Sequence, residues 1–222
     1  DPTTLSRVPI GVRTQHQKDT ERLPPPFQPS HAQPPAQIAG HPSPPVWIDS
    51  VSALKEAVAA LVRETVLGLD VETTLGTRAL CLVQIAARDK TYLVDALEVA
   101  DLDPLAAVFS SPKIVKVIHN ASFERSVLGQ HGLALEAVVD TLDLSRAKHG
   151  RQMGGGHSLK SVCAREFGLA IDKGEQTSDW TRRPLSQSQL SYAALDAEIL
   201  LRLYDHFGGS SVDPLGNLFE GR

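Results

Sequence analysis

The chain has 222 residues, 41% hydrophobic and 22% charged, enough for one domain with a sizeable core plus irregular ends. A formal net charge of −4 excludes a wholly basic nucleic-acid coat, so any polynucleotide contact must be a local groove. No apolar stretch is long enough to cross a bilayer and no charged-then-apolar leader opens the sequence, so no membrane partner is expected.

Residues 1–45 carry most of the prolines, including Pro24–Pro26, Pro34-Pro35 and Pro44-Pro45, with Gln, His and Ser between them. Such a segment has too little apolar area to offset its ordering entropy, and a disordered arm is expected. It offers a polyproline ligand to a protein partner, although a plain extension is the commoner use. A domain over 46–208 and a flexible tail over 209–222, opening Gly209-Ser-Ser, complete the expected organisation.

Within the domain, Val51, Leu54, Val58, Leu61 and Val62 recur at helical spacing after the capping candidates Asp49 and Ser50. Three short runs follow, Val66 to Glu72, Leu80 to Ala87 and Thr91 to Val94, separated by turn residues, and they predict an antiparallel meander. Cys81 in the second run, and Cys163 in a later helical pattern, read as small buried hydrophobes, which favours a reducing compartment such as the cytoplasm.

The first strand is apolar until it presents Asp70 and Glu72, and period 2 sends both carboxylates to one face. Like charges that close require a cation or a retained proton, although for a lone Asp-x-Glu a solvated turn is the commoner explanation.

A helix near Asp103 to Phe109 precedes the strand Ile114 to Ile118, and a helix over Ser122 to Gln130 follows. At that junction stands His119-Asn-Ala-Ser-Phe-Glu124, in which Asn120 or Ser122 can cap the helix and its dipole favours Glu124 as a carboxylate. Further helices are predicted over Thr141 to Lys148, Ser158 to Phe167 and Ser186 to about Phe207. Ser186 and Gln189 make a capping-box pair at the start of the last. Tyr192 and Asp196, four apart, share one face of it, and an interior aspartate has poor helix propensity. Strands first and helices later predict an α/β fold with a mixed sheet packed by helices.

Taken in order, Asp70-Val-Glu72, His119-Asn-Ala-Ser-Phe-Glu124 and Tyr192-Ala-Ala-Leu-Asp196 resemble the three exonuclease motifs of the DEDD superfamily. The resemblance is to its tyrosine-bearing branch, which includes ribonuclease D and Werner-type exonuclease domains. Leu82-Val-Gln-Ile85, Val94-Asp95, Asp140-Thr141, Ser158-Leu159, Asp172-Lys173 and Asp179-Trp180 look like further features of that branch, so coverage runs roughly from 46 to 208. Where the family carries Asp as its third acid, this chain has Glu124, with the carboxylate one methylene further out.

The resemblance implies a ribonuclease H-like mixed sheet, antiparallel meander plus parallel strands, flanked by helices. It implies a 3′–5′ exonuclease acting on RNA or DNA with two Mg²⁺ or Mn²⁺ ions held by Asp70, Glu72, Glu124 and Asp196. Tyr192 is expected to orient the attacking water, and Lys173, Asn120 and Thr73 to meet the substrate, whose 3′ end is expected to be single-stranded. The alternative is an exonuclease fold that has lost catalysis and serves as a nucleic-acid-binding or scaffold module. Arg146, Lys148, Arg151 and Lys160 flank the run Gly154–Gly156 and are candidates for phosphate contact, against an equal prior of ordinary solvated charges. Trp180 reads first as a core residue and only second as a stacking platform.

Overall fold

Three adjacent apolar runs at strand period, joined by tight turns, form the middle of a six-stranded sheet. In the computed structural model, which describes residues 43–171 and 174–209, these runs are β2 (Val66–Thr73), β3 (Leu80–Ala86) and β4 (Thr91–Asp95), paired antiparallel. The expected arm except its last three residues, the tail from 210 onward, and Lys173 lie outside the described residues. Two strands of three residues each, too short to show a period, were not predicted. They are β1 (Val46–Ile48), parallel to β4, and β6 (Val138–Asp140), parallel to β5 (Val115–Ile118). With β5 parallel to β2, the order is β1-β4-β3-β2-β5-β6, the mixed sheet that the element pattern predicts.

Alternation along β2 sorts the helices to the two faces. Leu67, Leu69 and Val71 point to a core shared with α1 (Val51–Leu61), with α2 (Ala106–Phe109), entered through a 3-10 turn at Asp103–Leu105, and with α3 (Ala121–Gly129). Val66, on the opposite face, packs with Ala86, Val117 and Val139 against Ala197, Leu200 and Leu201 of α6 (Gln187–His206). Ile199 and Leu203 of α6 pack in turn on Val162 and Cys163 of α5 (Leu159–Phe167), which follows α4 (Thr141–His149). Both cysteines are buried and unbridged. No helix among the described residues is long and apolar enough to cross a membrane.

Two local devices set α6 in place. Ser186 Oγ accepts from Gln189 N at 3.1 Å while Gln189 Oε1 accepts from Ser186 N at 2.9 Å, the capping box expected at its start. Further along, α6 crosses β2 at Gly68, where an added Cβ would lie 2.1 Å from the Ala197 carbonyl oxygen. Only a residue without a side chain lets the helix backbone come this close to the strand.

Candidate active site

Because Gly68, Asp70 and Glu72 alternate onto the α6 face of β2, the approach of α6 at Gly68 delivers its next inward acid, Asp196, to the same spot. One carboxylate oxygen from each of Asp70, Glu72 and Asp196 lies within 4.8 Å of the others. The ladder shifts register between Glu72 and Thr73, and the chain leaves the sheet there for the turn that carries exposed Leu75. These acids open into a cleft of about 600 Å³, into which Thr73 of β2, Asn120 and Glu124 at the start of α3, and Tyr192 of α6 also face.

Electrostatics at the cleft are those of crowded, desolvated acids. Burial, and then the charge of Asp196, push the Asp70 carboxyl well above the ordinary carboxylate range; burial, Asp70 and Asp196 do the same to Glu72. Glu124 is driven to about 9, by burial first and by Asp70 second. Asp196 rises less, because its burial is opposed by a hydrogen bond from Tyr192. The Tyr192 phenol is itself pushed up by burial and by Asp196, so it stays protonated. Among the described residues, Asp196 Oδ1 and Glu124 Oε2 are buried with no hydrogen-bond partner, a costly state for a carboxylate unless something positive meets it.

Glu124 reaches the cleft through an unusual helix start. Asn120, the residue before α3, is left-handed at φ 69° and makes no side-chain cap, so neither Asn120 nor Ser122 plays the capping part expected of it. The Asp140 carboxylate does so instead, accepting from Asn120 N, Ala121 N and Leu142 N at 2.9 Å each. One side chain from the end of β6 thus fixes the starts of both α3 and α4, while the Asn120 side chain, whose Oδ1 accepts from Ser122 Oγ at 3.1 Å, lines the cleft.

His119, at the end of β5, donates from Nε2 to the His157 carbonyl at 2.9 Å, and its Nδ1 lies 2.9 Å from Thr141 Oγ1. Burial pushes its pKa down, so the neutral ring serves as a wall of the cleft. Trp180 is buried in the core, its ring 6.2 Å from that of Tyr192, as the packing alternative expects. Asp196 is not paired with Arg202, whose guanidinium lies over Phe167 at 4.7 Å. Two contributors escaped the sequence reading. Gly68 had a usable signal, a glycine inside an otherwise buried strand; His157 had only its place directly before Ser158-Leu159.

A sequence model of the 3′–5′ exonuclease domain matches residues 45–209. The chain belongs to the 3′–5′ exonuclease family. It is 35% identical over 158 residues to DNA polymerase I of Aquifex aeolicus, covering 71% of this chain and 26% of that protein. Ribonuclease D of Gluconacetobacter diazotrophicus is 36% identical over 172 residues (75% and 42%), and the exosome complex exonuclease RRP6 of Saccharomyces cerevisiae 31% over 188 residues (80% and 25%). The chain therefore spans between a quarter and under half of these relatives. Among solved structures, Escherichia coli RNase D superposes with a TM-score of 0.67 at 27% identity, over 76% of this chain and 46% of that one. The fold is that of the ribonuclease H-like exonuclease domains.

Proposed function

We propose that this exonuclease-family chain is a metal-dependent enzyme that hydrolyses phosphodiester bonds from the 3′ end of RNA or DNA and releases nucleoside 5′-monophosphates. The observation that carries the proposal is the meeting of Asp70, Glu72 and Asp196 within 4.8 Å, beside a Glu124 whose buried oxygen has no partner. An all-oxygen set of carboxylates with raised pKa values fits a hard divalent cation such as Mg²⁺ or Mn²⁺.

In this scheme Asp70, Glu72, Asp196 and Glu124 would together hold the two ions, Glu124 from the α3 start on a side chain one methylene longer than an aspartate's. When bound, the ions neutralise the phosphodiester and lower the pKa of an attacking water. The chain's own groups do the positioning. The Tyr192 phenol donates to Asp196, so its oxygen keeps lone pairs to accept a hydrogen bond from the water. Glu72, adjacent in the cluster, would help to orient the same water. Thr73, Asn120 and Lys173 would hold the terminal nucleotide. Residues 46–208 form the exonuclease domain in this proposal, and the proline-rich arm is the site for a protein partner. The buried, unbridged cysteines support a reducing compartment such as the cytoplasm.

The test is a 5′-labelled single-stranded 12-mer, as RNA and as DNA, incubated with Mg²⁺, Mn²⁺ or chelator. Progressive shortening from the 3′ end with metal, arrest with chelator and release of 5′-mononucleotides are expected. Tight binding of an oligonucleotide that stays intact in every metal would instead assign a non-catalytic binding module.

A further inference from the structure

Most cations near the cleft are already engaged. On α4 and α5, Lys148 Nζ lies 2.8 Å from Glu166 and Arg165 binds the same carboxylate at 3.1 Å. Arg146, Arg151 and Lys160 are the exception. All three line the cleft from the α4–α5 side. Arg151 and Lys160 are exposed and have no hydrogen bond or ion pair among the described residues. Arg146 touches Asp143 at 3.4 Å, in a pair whose aspartate is 73% exposed, too wet to hold it.

The placement of these cations serves no evident folding purpose. Lys160 sits in the first turn of α5, where the helix dipole opposes a cation and no acidic residue offsets it. An anion lying alongside reverses that sign. Arg151 is carried on the loop between α4 and α5, whose two ends are tied down from inside: His157 Nε2 donates to the Gly150 carbonyl at 2.9 Å and Arg165 Nη1 to the Gly156 carbonyl at 3.1 Å. Buried Ser145 joins the two anchors, accepting from Arg165 Nη2 at 2.7 Å and lying 2.9 Å from His157 Nδ1. Between the anchors, Gly154 and Gly155 present no side chain, and a Cβ on either would meet nothing within 4 Å. The result is a fixed base with an open, unobstructed rim that bears positive charge, on a chain whose net charge is −4.

We infer that Arg146, Arg151 and Lys160 form a phosphate-gripping wall for the single strand upstream of the scissile bond. This rests on the exonuclease reading of the cleft, and adds how the substrate is chosen. The acids take the reacting phosphate; the wall takes its neighbours. Selection is therefore by number of consecutive backbone phosphates and not by base, so RNA and DNA strands are held alike and a substrate with one phosphodiester gains nothing from the wall.

The experiment compares the wild type with an Arg146→Gln, Arg151→Gln, Lys160→Gln triple variant. A second triple variant, Lys55→Gln, Arg63→Gln, Lys113→Gln, makes the same charge change on exposed positions outside the cleft. Binding of a fluorescent 12-mer, RNA and DNA in parallel, is measured by anisotropy in Ca²⁺ across a salt series. Hydrolysis in Mn²⁺ is measured on the 12-mer and on thymidine 5′-(p-nitrophenyl phosphate). The cleft variant should bind the 12-mer about tenfold or more weakly, with the log–log salt slope reduced by about 2, as three lost single-strand phosphate contacts require. Its KM for the 12-mer should rise while its constants for the nitrophenyl ester stay at wild-type values, and the distal variant should behave as wild type. Unchanged 12-mer binding by the cleft variant, or an equal loss in the distal one, overturns the inference. If the wild type binds through the wall but cleaves neither substrate, the wall stands and the exonuclease reading falls.

Discussion

A lone glutamate and a cluster of four cleft carboxylates are solved in opposite ways in this molecule. Glu166 is 5% exposed and surrounded by donors: Lys148 at 2.8 Å, His149 at 2.6 Å, Arg165 at 3.1 Å and His206 at 2.9 Å. Although burial alone raises its pKa, these bonds bring it down to about 2. In the cleft, Asp70, Glu72 and Asp196 face one another and Glu124, with no cationic side chain bonded to them among the described residues, and all four pKa values rise. The first arrangement is complete within the protein, tying α4 and α5 to the end of α6. The second has no such partner among the described residues, and that asymmetry separates a structural site from a candidate functional one.

Removing one member of each group should break the comparison most visibly. Asp70→Asn is expected to abolish metal-dependent hydrolysis while leaving the folded state as stable as wild type or more so, because it relieves repulsion; activity assays and thermal melts check both halves. Next in size is Gly68→Ala, which acts on the cleft without touching an acid. With the new Cβ 2.1 Å from the Ala197 carbonyl, α6 must shift away from β2. A loss of about 1–3 kcal/mol in urea titration, and a fall in kcat of about 100-fold, are expected. Glu166→Gln should lose about 1–3 kcal/mol in the same titration, since partners gathered around one carboxylate are left without it.

The two groups also predict pH dependences of opposite sign. Glu166 is ionised in the folded chain while the unfolded chain takes up a proton, so its contribution is present above pH 4.5 and is lost as pH falls toward 2. Glu124 is the reverse: between pH 4.5 and about 9 the folded, metal-free protein keeps a proton that the unfolded chain has released, so stability falls as pH rises. Denaturant titrations of metal-free protein from pH 5 to 8 should show a decline, shared with Asp70 and Glu72, that Glu124→Gln makes shallower and that saturating Mn²⁺ reverses. The smallest effect belongs to Arg88 and Asp205, an ion pair with both side chains 49% exposed. Arg88→Gln should change stability by under about 1 kcal/mol, showing that pairing matters here only where water is excluded.

Sequence alone exposed the parts of this molecule whose determinants are local. The strand period put Asp70 and Glu72 on one face, helical spacing put Tyr192 over Asp196, and Ser186 with Gln189 announced the capping box that forms. What escaped was set by contacts between distant segments. β1 and β6 are three residues long and exist as strands because β4 and β5 offer them an edge. The true cap of α3, Asp140, lies 20 residues beyond Asn120 in the chain. The anchoring of the 150–157 loop depends on Arg165 and Ser145, neither of which belongs to any motif.

The need of the cleft acids for a cation is tested most directly by calorimetric titration of chelator-treated protein with Mn²⁺ near neutral pH, wild type against Asp70→Asn. Saturable binding by the wild type, accompanied by proton release from the protonated cluster, and its loss in Asp70→Asn are the expected results. Failure of the wild type to bind, or equal binding by the variant, would contradict the account.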